Sequence, residues 1–329
     1  MRAVMVAVVL IASAVVGFGT PANAESCTTT GFQRDGFDLT AALVNPAGTV
    51  QGTLDASGCD IGVFYDGGSG AVQGADISGA RYFGVVVQGD ANDVAVDVIG
   101  SSIHDIGDVP LDGSQHGIAI YYRAFGTGHA SGRIAGNTMW NYQKGGIVTN
   151  GPGTRVDVRG NVVTGQGPVT WIAQNGIQIG YGASASVLGN TVTGHSYTGT
   201  STVSGGIIVV GGAYYDSALT VGTRIEGNTV RDNDVGVFLS NLDADGGAPL
   251  DATNVKVVNN TISNSGLFND YLGFGYQAGV SDVGNNDKII ANEISGLGYD
   301  PAANPSAYTV FIDADPSFTN RPKVHANSE

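Results

Sequence analysis

An internal repeat constrains the fold of this chain more than any other feature of its sequence. A glycine followed by a β-branched residue returns every 22 to 43 residues. The column consists of Gly62-Val63, Gly84-Val85, Gly117-Ile118, Gly146-Ile147, Gly176-Ile177, Gly206-Ile207, Gly236-Val237 and Gly279-Val280. Self-similarity at such a period indicates stacked structural units, each of which covers the apolar face of the next.

Two further columns complete each unit. One contains an Asn followed after one residue by an apolar residue, and the other is a single apolar residue just upstream. The apolar members of the Asn column are Met139, Val163, Val192, Val230, Ile262 and Ile294. The upstream column consists of Ile134, Val158, Val187, Ile225, Val257 and Ile289. Each unit therefore has three short alternating segments and almost no helical periodicity, which predicts an all-β chain with three strands per unit.

The recurring asparagines are predicted to have a structural role. They include Asn137, Asn161, Asn190 and Asn228, each preceded by a glycine. An Asn at a corner can adopt the left-handed conformation and hydrogen-bond along its own column, and glycine supplies positive φ. We expect these side chains to shape the corner, not to catalyse.

The Gly-Asn-x-Val corner and the Gly-Ile strand start resemble the pectate-lyase-like right-handed β-helix superfamily. The resemblance covers most of the chain and implies a single-stranded right-handed parallel β-helix with three short strands per coil. It is weak for function, because this architecture carries lyases, epimerases, hydrolases, phage tailspikes and adhesins. An antiparallel sandwich or propeller is the alternative fold, which the repeated Asn corner disfavours.

The N-terminal residues predict a secretory signal over residues 1–24. Arg2 precedes an apolar run and Ala24 ends an Ala-Asn-Ala site, although a retained anchor is the alternative. Residues 25–53 are expected to form an N-terminal cap, residues 54–310 the coils, and residues 311–329 a tail or cap. Cys27 and Cys59, the only cysteines, are predicted to form a disulfide that ties the cap to the first coil.

Acidity limits the partners of this chain. Its formal charge is −15, and the signal carries only one charged residue. Such a field repels nucleic acid and anionic membranes, so we expect the chain to bind neither. We expect the mature protein to be secreted and monomeric. The negative charge of the chain also disfavours an acidic polysaccharide as substrate, unless a cation bridges protein and polysaccharide or the binding cleft is locally basic.

Coil corners between the Asn column and the Gly-Ile column vary in length. Short corners run from Ile77 to Val85, Met139 to Ile147 and Val230 to Val237, and long ones from Ile103 to Ile118, Val163 to Ile177, Val192 to Ile207 and Ile262 to Val280. Insertions at one corner of stacked coils must emerge on one flank, where they would wall a groove. These insertions contain Trp171, Tyr197, Phe268, Tyr271, Phe274 and Tyr276, which are suited either to stacking on sugars or to packing on each other.

Candidate catalytic residues lie around the short corner at Lys144. Lys144 or His116 is predicted to be the base that removes the C5 proton of a uronic acid, with Tyr142, Tyr121 or Tyr122 as proton donor. Substrate contacts are predicted for Gln115, Tyr121, Arg123, Gln143, Trp171, Gln174 and Asn175. Asp105, Asp108 and Asp112 are candidate Ca²⁺ ligands that would stabilise the enolate. Alternatively, Lys144 is a solvated surface residue, His116 caps a turn and the aspartates end strands.

Polysaccharide is therefore the predicted partner, and lyase or epimerase the predicted activity. The alternatives are a glycoside hydrolase on a neutral glycan and a non-catalytic glycan-binding surface protein. The sequence has no Gly-x-Ser-x-Gly elbow, phosphate-binding loop or His-Glu-x-x-His motif. It also departs from known uronan enzymes, because it lacks the paired arginines of pectate lyases and the Asp-Pro-His-Asp signature of alginate epimerases.

Overall fold

The chain winds into a stack of coils, and each coil contributes one strand to each of three faces. The structure is a computed structural model that describes residues 22–23, 26–199, 202–266, 276–313, 323–325 and 327. Most of the predicted signal, and the aromatic residues Phe268, Tyr271 and Phe274, lie outside these residues. The described residues form no helix with the length and hydrophobicity of a membrane span.

The first face, called sheet 1, contains the Gly-Ile column. Its strands are Thr28–Arg34, Phe37–Val44, Ile61–Tyr65, Phe83–Gln88, Ile118–Arg123, Gly145–Asn150, Asn175–Gly180, Gly205–Gly211, Val235–Asn241, Gln277–Asp282 and Ala307–Ile312. All neighbours pair in parallel except the first two strands, which form an antiparallel hairpin.

The other two faces are parallel throughout. Sheet 2 consists of Val94–Ile99, Ala130–Ala135, Thr154–Arg159, Ser184–Leu188, Arg224–Glu226, Lys256–Val258, Lys288–Ile290 and Lys323–His325. Sheet 3 consists of Ala22–Asn23, Ser102–Ile106, Thr138–Tyr142, Val162–Thr164, Thr191–Thr193, Thr229–Arg231, Thr261–Ser263 and Glu293–Ser295. Thr49–Asp55 and Gly68–Ser78 run around the corner and belong to both. Two short 3₁₀ helices, Ala213–Tyr215 and Leu297–Tyr299, lie between strands.

The apolar interior follows the predicted columns. Val163 stacks on Val192 and Val230 in sheet 3, while Ile147 stacks on Ile177 in sheet 1, and all five are fully buried. Parallel pairing extends beyond the predicted 54–310 range, because Phe37–Val44 pairs with Ile61–Tyr65 and Lys323–His325 pairs with Lys288–Ile290. The molecule is thus a parallel β-helix with three strands per coil.

One member of the Gly-Ile column is out of register. Ile120, not Ile118, aligns with Val85 and Ile147, so Ala119 occupies the position of the column glycine. The side chain of Ile118 instead points outward into the cluster formed with Phe83 and the N-terminal hairpin. The prediction of Gly117-Ile118 for this coil was therefore wrong, because alanine is also small enough for that position.

The asparagines form a continuous buried ladder, as expected. In each coil the Asn side-chain nitrogen donates to the Asn oxygen of the next coil and to a strand carbonyl. The ladder contains Asn137, Asn161, Asn190, Asn228, Asn260, Asn292 and Asn327. Positive φ occurs at the residue before the Asn, for example 62° at Gly160 and 55° at Asn259, and not at the ladder residue itself. The ladder satisfies the backbone where the chain turns between sheets 2 and 3.

The N-terminal hairpin covers the outer face of sheet 1 at one end of the stack. Phe32 and Leu39 of the hairpin are buried against Phe64 and Phe83. The Cys27–Cys59 disulfide joins the hairpin segment to the first coil, as predicted. This cover leaves the rest of the outer face of sheet 1 open.

Candidate functional site

A groove runs along the outer face of sheet 1 beyond the hairpin. It consists of two adjoining cavities of about 290 and 160 Å³, which share Lys144, Asn175, Gln178 and Tyr181 in their walls. Its floor is built from outward side chains of consecutive strands, Tyr121, Val148, Gln178, Ile208 and Phe238. The strands therefore set its length, at about 4.8 Å per coil.

Inserted corners form one wall of this groove. Gln115, Thr202 and Val203 come from two of the long corners and line it. The corners after Val163 and Val192 also stack on each other, since the segment around Val169 pairs in parallel with that around Tyr197. The three insertions that the structure describes in full or nearly so, after Ile103, Val163 and Val192, thus emerge on a single flank, as the repeat predicts.

Lys144 projects into the middle of the groove. Its Nζ donates to the carbonyl oxygen of Ala173 at 2.8 Å. Burial disfavours the charged form and lowers the pKa of Lys144 to about 8. Near neutral pH this amine therefore has a larger neutral fraction than a solvated lysine, and a neutral amine can accept a proton.

Tyr181 lines both cavities together with Lys144, but from the other end of the strands, since Lys144 precedes Gly145–Asn150 and Tyr181 follows its partner strand Asn175–Gly180. Burial raises the pKa of Tyr181 above its ordinary value, so the phenol remains protonated near neutral pH. The residue follows the strand Asn175–Gly180 and has a φ of 57°, a left-handed conformation that is uncommon for a tyrosine. Its ring makes an edge contact with Tyr215 on the opposite side from the inserted corners. Tyr181 thus contributes a protonated phenol to the lining of the groove.

Charge in the groove opposes that of the whole molecule. Arg34 of the hairpin and Lys144 contribute cationic groups, and the remaining groove residues in the described part of the chain are amide, hydroxyl, aromatic or aliphatic. No aspartate or glutamate lines either cavity among those residues. The groove therefore forms a locally cationic surface on an acidic protein.

Four predicted site residues meet in this groove: Gln115, Tyr121, Lys144 and Asn175. Sequence reasoning missed Arg34, Asn150, Gln178 and Tyr181. Gln178 and Asn150 occupy outward positions one and three residues after the buried isoleucine of their strands. The signal that identifies them is the alternation of strand side chains, which turns these two residues outward from the apolar interior.

His116 lies outside the groove. Its Nε2 is 2.7 Å from Asp108 Oδ2, its ring stacks on Tyr82 at 4.1 Å, and its side chain is buried. Arg81 donates to the other oxygen of Asp108 at 2.7 Å. Burial opposes ionisation of Asp108, but these hydrogen bonds and charges outweigh burial and lower its pKa. Asp108 is thus an ion-pair partner that holds the long corner against sheet 1.

Asp105 and Asp112 are separate from Asp108 and from each other. Asp105 accepts hydrogen bonds from His104 and Asn141, on the side of sheet 3. Asp112 closes a turn by accepting from the backbone nitrogen of Ser114 at 2.7 Å. Within the described residues no three His, Cys, Asp or Glu side chains form a group that could hold a metal ion. These aspartates are not brought together, so they fit the Ca²⁺ expectation poorly.

Two predicted glutamines are buried and hold the corners. Gln143 accepts from the backbone nitrogens of Asp108 and Asp112, both at 3.1 Å, and Gln174 donates to the carbonyl of Tyr142 at 2.6 Å. Both are fully buried, so the structure places them under the groove wall and not on its surface. Because Gln143 and Gln174 hold the corner segments by these hydrogen bonds, replacing either residue would deform the groove.

Tyr142, Tyr122, Arg123 and Trp171 are also not among the residues that line the groove. The phenol of Tyr142 is buried inside the coils against His195, and that of Tyr122 donates to the carbonyl of Val96. Arg123 forms an ion pair with Asp90 at 3.0 Å. Neither buried tyrosine can reach a ligand in the groove without opening the coil.

A larger cavity lies at the C-terminal end of the stack. It has a volume of about 430 Å³ and is lined mainly by Ile294, Leu297, Tyr299 and Thr309. These belong to the last coil and the 3₁₀ helix that follows it. The cavity borders the apolar interior, and the described residues that line it include no cationic group.

Comparison with known proteins identifies the fold. Residues 49–216, just over half of the chain, match the family described as the right-handed β-helix region. The chain belongs to this right-handed β-helix family. The predicted single-stranded right-handed parallel β-helix is thereby confirmed.

Solved structures of this architecture are similar over most of the chain. The A-module of the mannuronan C-5 epimerase AlgE6 from Azotobacter vinelandii has 12% identity and a TM-score of 0.48, covering 88% of this chain and 74% of the module. The Dettilon tailspike protein has 15% identity and a TM-score of 0.36, covering 83% and 61%. Tailspike protein 3 of bacteriophage CBA120 has 15% identity and a TM-score of 0.34, covering 88% and 50%. No curated protein sequence matches the chain significantly.

Proposed function

We propose that this protein is a secreted enzyme that removes the C5 proton of a uronic acid in an extracellular polysaccharide, by β-elimination or epimerisation. One observation carries the proposal: a lysine with a pKa lowered to about 8 and a protonated tyrosine share a groove without carboxylates in the described residues. Cationic and amide groups in this groove suit an anionic sugar chain, and the groove follows the stack as a linear polymer would.

Lys144 is the base in this mechanism. Its neutral amine takes the proton as the C5–H bond breaks, and the electron pair is delocalised into the uronate carboxylate. Arg34 is the groove cation that would offset this carboxylate charge, with the amides of Gln178 and Asn175 as hydrogen-bond donors. Arg123 is engaged by Asp90, which favours Arg34 for this role.

Tyr181 is the proton donor. In elimination the C4–O4 bond breaks, a C4=C5 double bond forms, and the leaving oxygen takes the phenolic proton. In epimerisation the C4–O4 bond stays intact, and the proton returns to C5 on the opposite face. The two outcomes share the first step and then differ in whether the C4–O4 bond breaks, with the proton from Tyr181 delivered to the leaving oxygen or to C5.

The test uses a panel of polyuronates and the variants Lys144→Arg and Tyr181→Phe. Arginine keeps the positive charge but has no accessible neutral form, so turnover should fall by about 10²–10⁴-fold while binding persists. Parent turnover should rise with pH and level off above about 8, as Lys144 loses its proton. Unsaturated-uronate absorbance identifies elimination, and C5 deuterium incorporation in heavy water identifies epimerisation.

Tyr214→Phe is the matched control, because this tyrosine is exposed and outside the groove. It should retain full turnover. Full turnover of Lys144→Arg, or cleavage of a neutral glycan by the parent, would exclude the proposal.

Glycan binding without catalysis is the second candidate. Aromatic side chains such as Phe125, Tyr215 and Phe238 line the groove from end to end, and they suit sugar stacking even if no bond is broken. Retardation in polyuronate gels with no product from any substrate would favour it. A glycoside hydrolase is less well supported, because it requires two carboxylates that flank the scissile bond.

A further inference from the structure

A column of basic side chains runs along the outer face of sheet 2. Arg224 pairs with Lys256, Lys256 with Lys288, and Lys288 with Lys323, each at the same position in consecutive strands. The column contains three of the four lysines in a chain of charge −15. We name these four residues the basic column.

The three lysines of the basic column form no ion pair with a carboxylate of the described residues. Arg224 forms an ion pair with Glu226 in its own strand, but no carboxylate within the described residues forms an ion pair with Lys256, Lys288 or Lys323. Lys256 and Lys323 are exposed, and Lys288 is partly exposed. Like charges directly opposite each other on neighbouring strands are destabilising. The column therefore lowers the stability of the fold, and no ion pair of these lysines among the described residues offsets that cost.

Groups beside the lysines add hydrogen-bonding capacity. Asn254 and Asn286 line a shallow cavity of about 310 Å³ together with Lys256 and Lys288. The Asn286 side chain donates to Asn254 at 2.7 Å, which aligns the two amides along the column. Ammonium and amide groups in one row can bind carboxylate or sulfate together with hydroxyl oxygens.

We infer that the basic column is a second binding surface, which holds a linear acidic polysaccharide along sheet 2. Its charges recur at about 4.8 Å, the spacing of neighbouring strands, in a single row. The repeat of an extended sugar chain is of that order, whereas each strand of duplex DNA carries one charge per about 3.4 Å of helix axis and winds away from a straight row. A membrane surface would need a broad basic patch, and the acidic body repels both alternatives at long range. The inference does not depend on catalysis in the groove.

The experiment measures binding of polygalacturonate to the secreted chain by affinity electrophoresis at low salt. The variant Lys256→Gln/Lys288→Gln/Lys323→Gln should bind about tenfold more weakly than the parent, since each exposed charge pair contributes modestly. Lys256→Arg/Lys288→Arg/Lys323→Arg should restore binding. Polygalacturonate should also raise the thermal unfolding midpoint of the parent more than that of the glutamine variant.

The matched control is Arg155→Gln/Arg159→Gln/Arg231→Gln, which removes the same charge from exposed positions outside the column. It should bind within about twofold of the parent, because long-range charge alone is screened. The inference is overturned if the glutamine variant binds like the parent, if the control loses as much affinity, or if duplex DNA or phosphatidylserine vesicles bind as tightly as polygalacturonate. Lys144→Arg separates the two proposals, since it should abolish turnover and leave column binding intact.

Discussion

Buried polar side chains in this protein differ in whether their hydrogen bonds are complete. Each ladder asparagine from Asn137 to Asn292 donates to the next asparagine and to a strand carbonyl, as Asn190 does to Asn228 and Val158. Asp282 and Asp287 are equally buried, but their Oδ2 atoms accept from no amide or hydroxyl of the described residues, and the two carboxyls interact with each other instead. The ladder therefore stabilises the fold, while the carboxyl pair carries unfavourable electrostatic energy at neutral pH.

Replacing Asp282 tests this difference. Burial and the neighbouring carboxylate raise the pKa of Asp282, and burial raises the pKa of Asp287 to about 6. The folded state therefore holds protons that the unfolded state releases, so stability from this pair falls as pH rises from about 4 to above 6. Asp282→Asn should raise the free energy of unfolding at pH 8 by on the order of 1–2 kcal/mol and flatten this dependence.

Urea unfolding at several pH values provides the measurement. Asp245→Asn removes the same charge from an exposed turn and should shift stability by less than about 0.5 kcal/mol. A loss of stability at pH 8 in Asp282→Asn would contradict the expectation, because it would mean that the charged carboxylate is favourable where it is.

At the scale of elements, one buried carboxylate holds a long corner of the groove wall. Asp234 accepts from Ser196 Oγ at 2.7 Å, from the backbone nitrogen of Tyr197 at 2.9 Å and from that of Ser204 at 3.0 Å. The two ends of the corner are thus fixed to the next coil. Thr202 and Val203, within this corner, line the groove.

Asp234→Ala should loosen this corner and leave the coils folded. Limited proteolysis should cut between Tyr197 and Ser204 at least about tenfold faster than in the parent, because local opening governs cleavage. Binding of polyuronate in the groove should weaken at the same time. Asp245→Ala is the control, and unchanged proteolysis in Asp234→Ala would show that the corner is held by other contacts.

Strand columns were predictable because an apolar interior demands one β-branched residue per coil at each face, as Val163, Val192 and Val230 show. The groove floor was less predictable. Its outward positions hold residues as different as Val148 and Gln178, so they leave no repeat in the sequence. Lys144 was found because it lies in a short corner between two long ones, and Tyr142 was misplaced because strand alternation turns it inward.

At the scale of the whole molecule, charge is distributed unevenly. The chain carries −15 overall, yet the groove displays Arg34 and Lys144 and the basic column displays three lysines without ion pairs to the described residues. Negative charges elsewhere therefore repel one another over most of the surface. Self-repulsion of this kind destabilises a compact state.

Salt should therefore stabilise the protein. Raising NaCl from 0.01 M to 0.15 M shortens the Debye length from about 30 Å to about 8 Å, so the thermal unfolding midpoint should rise by several degrees. A matched concentration series of an uncharged osmolyte separates screening from general solute effects. A midpoint that falls with NaCl would mean that attractive ion pairs such as Arg133–Asp97 dominate the balance.

Stacking has a consequence for how such a molecule could change size. The strands of each coil pair only with those of the coils above and below, and the asparagine ladder repeats the same acceptor and donor from coil to coil. Duplicating one full turn, such as the segment from Gly146 to Asn175, would insert an extra layer that continues the strand pairing and the ladder, while separating Tyr142 from His195. The groove would lengthen by about 4.8 Å per added turn, so the same fold could bind a polymer over more of its sugar units.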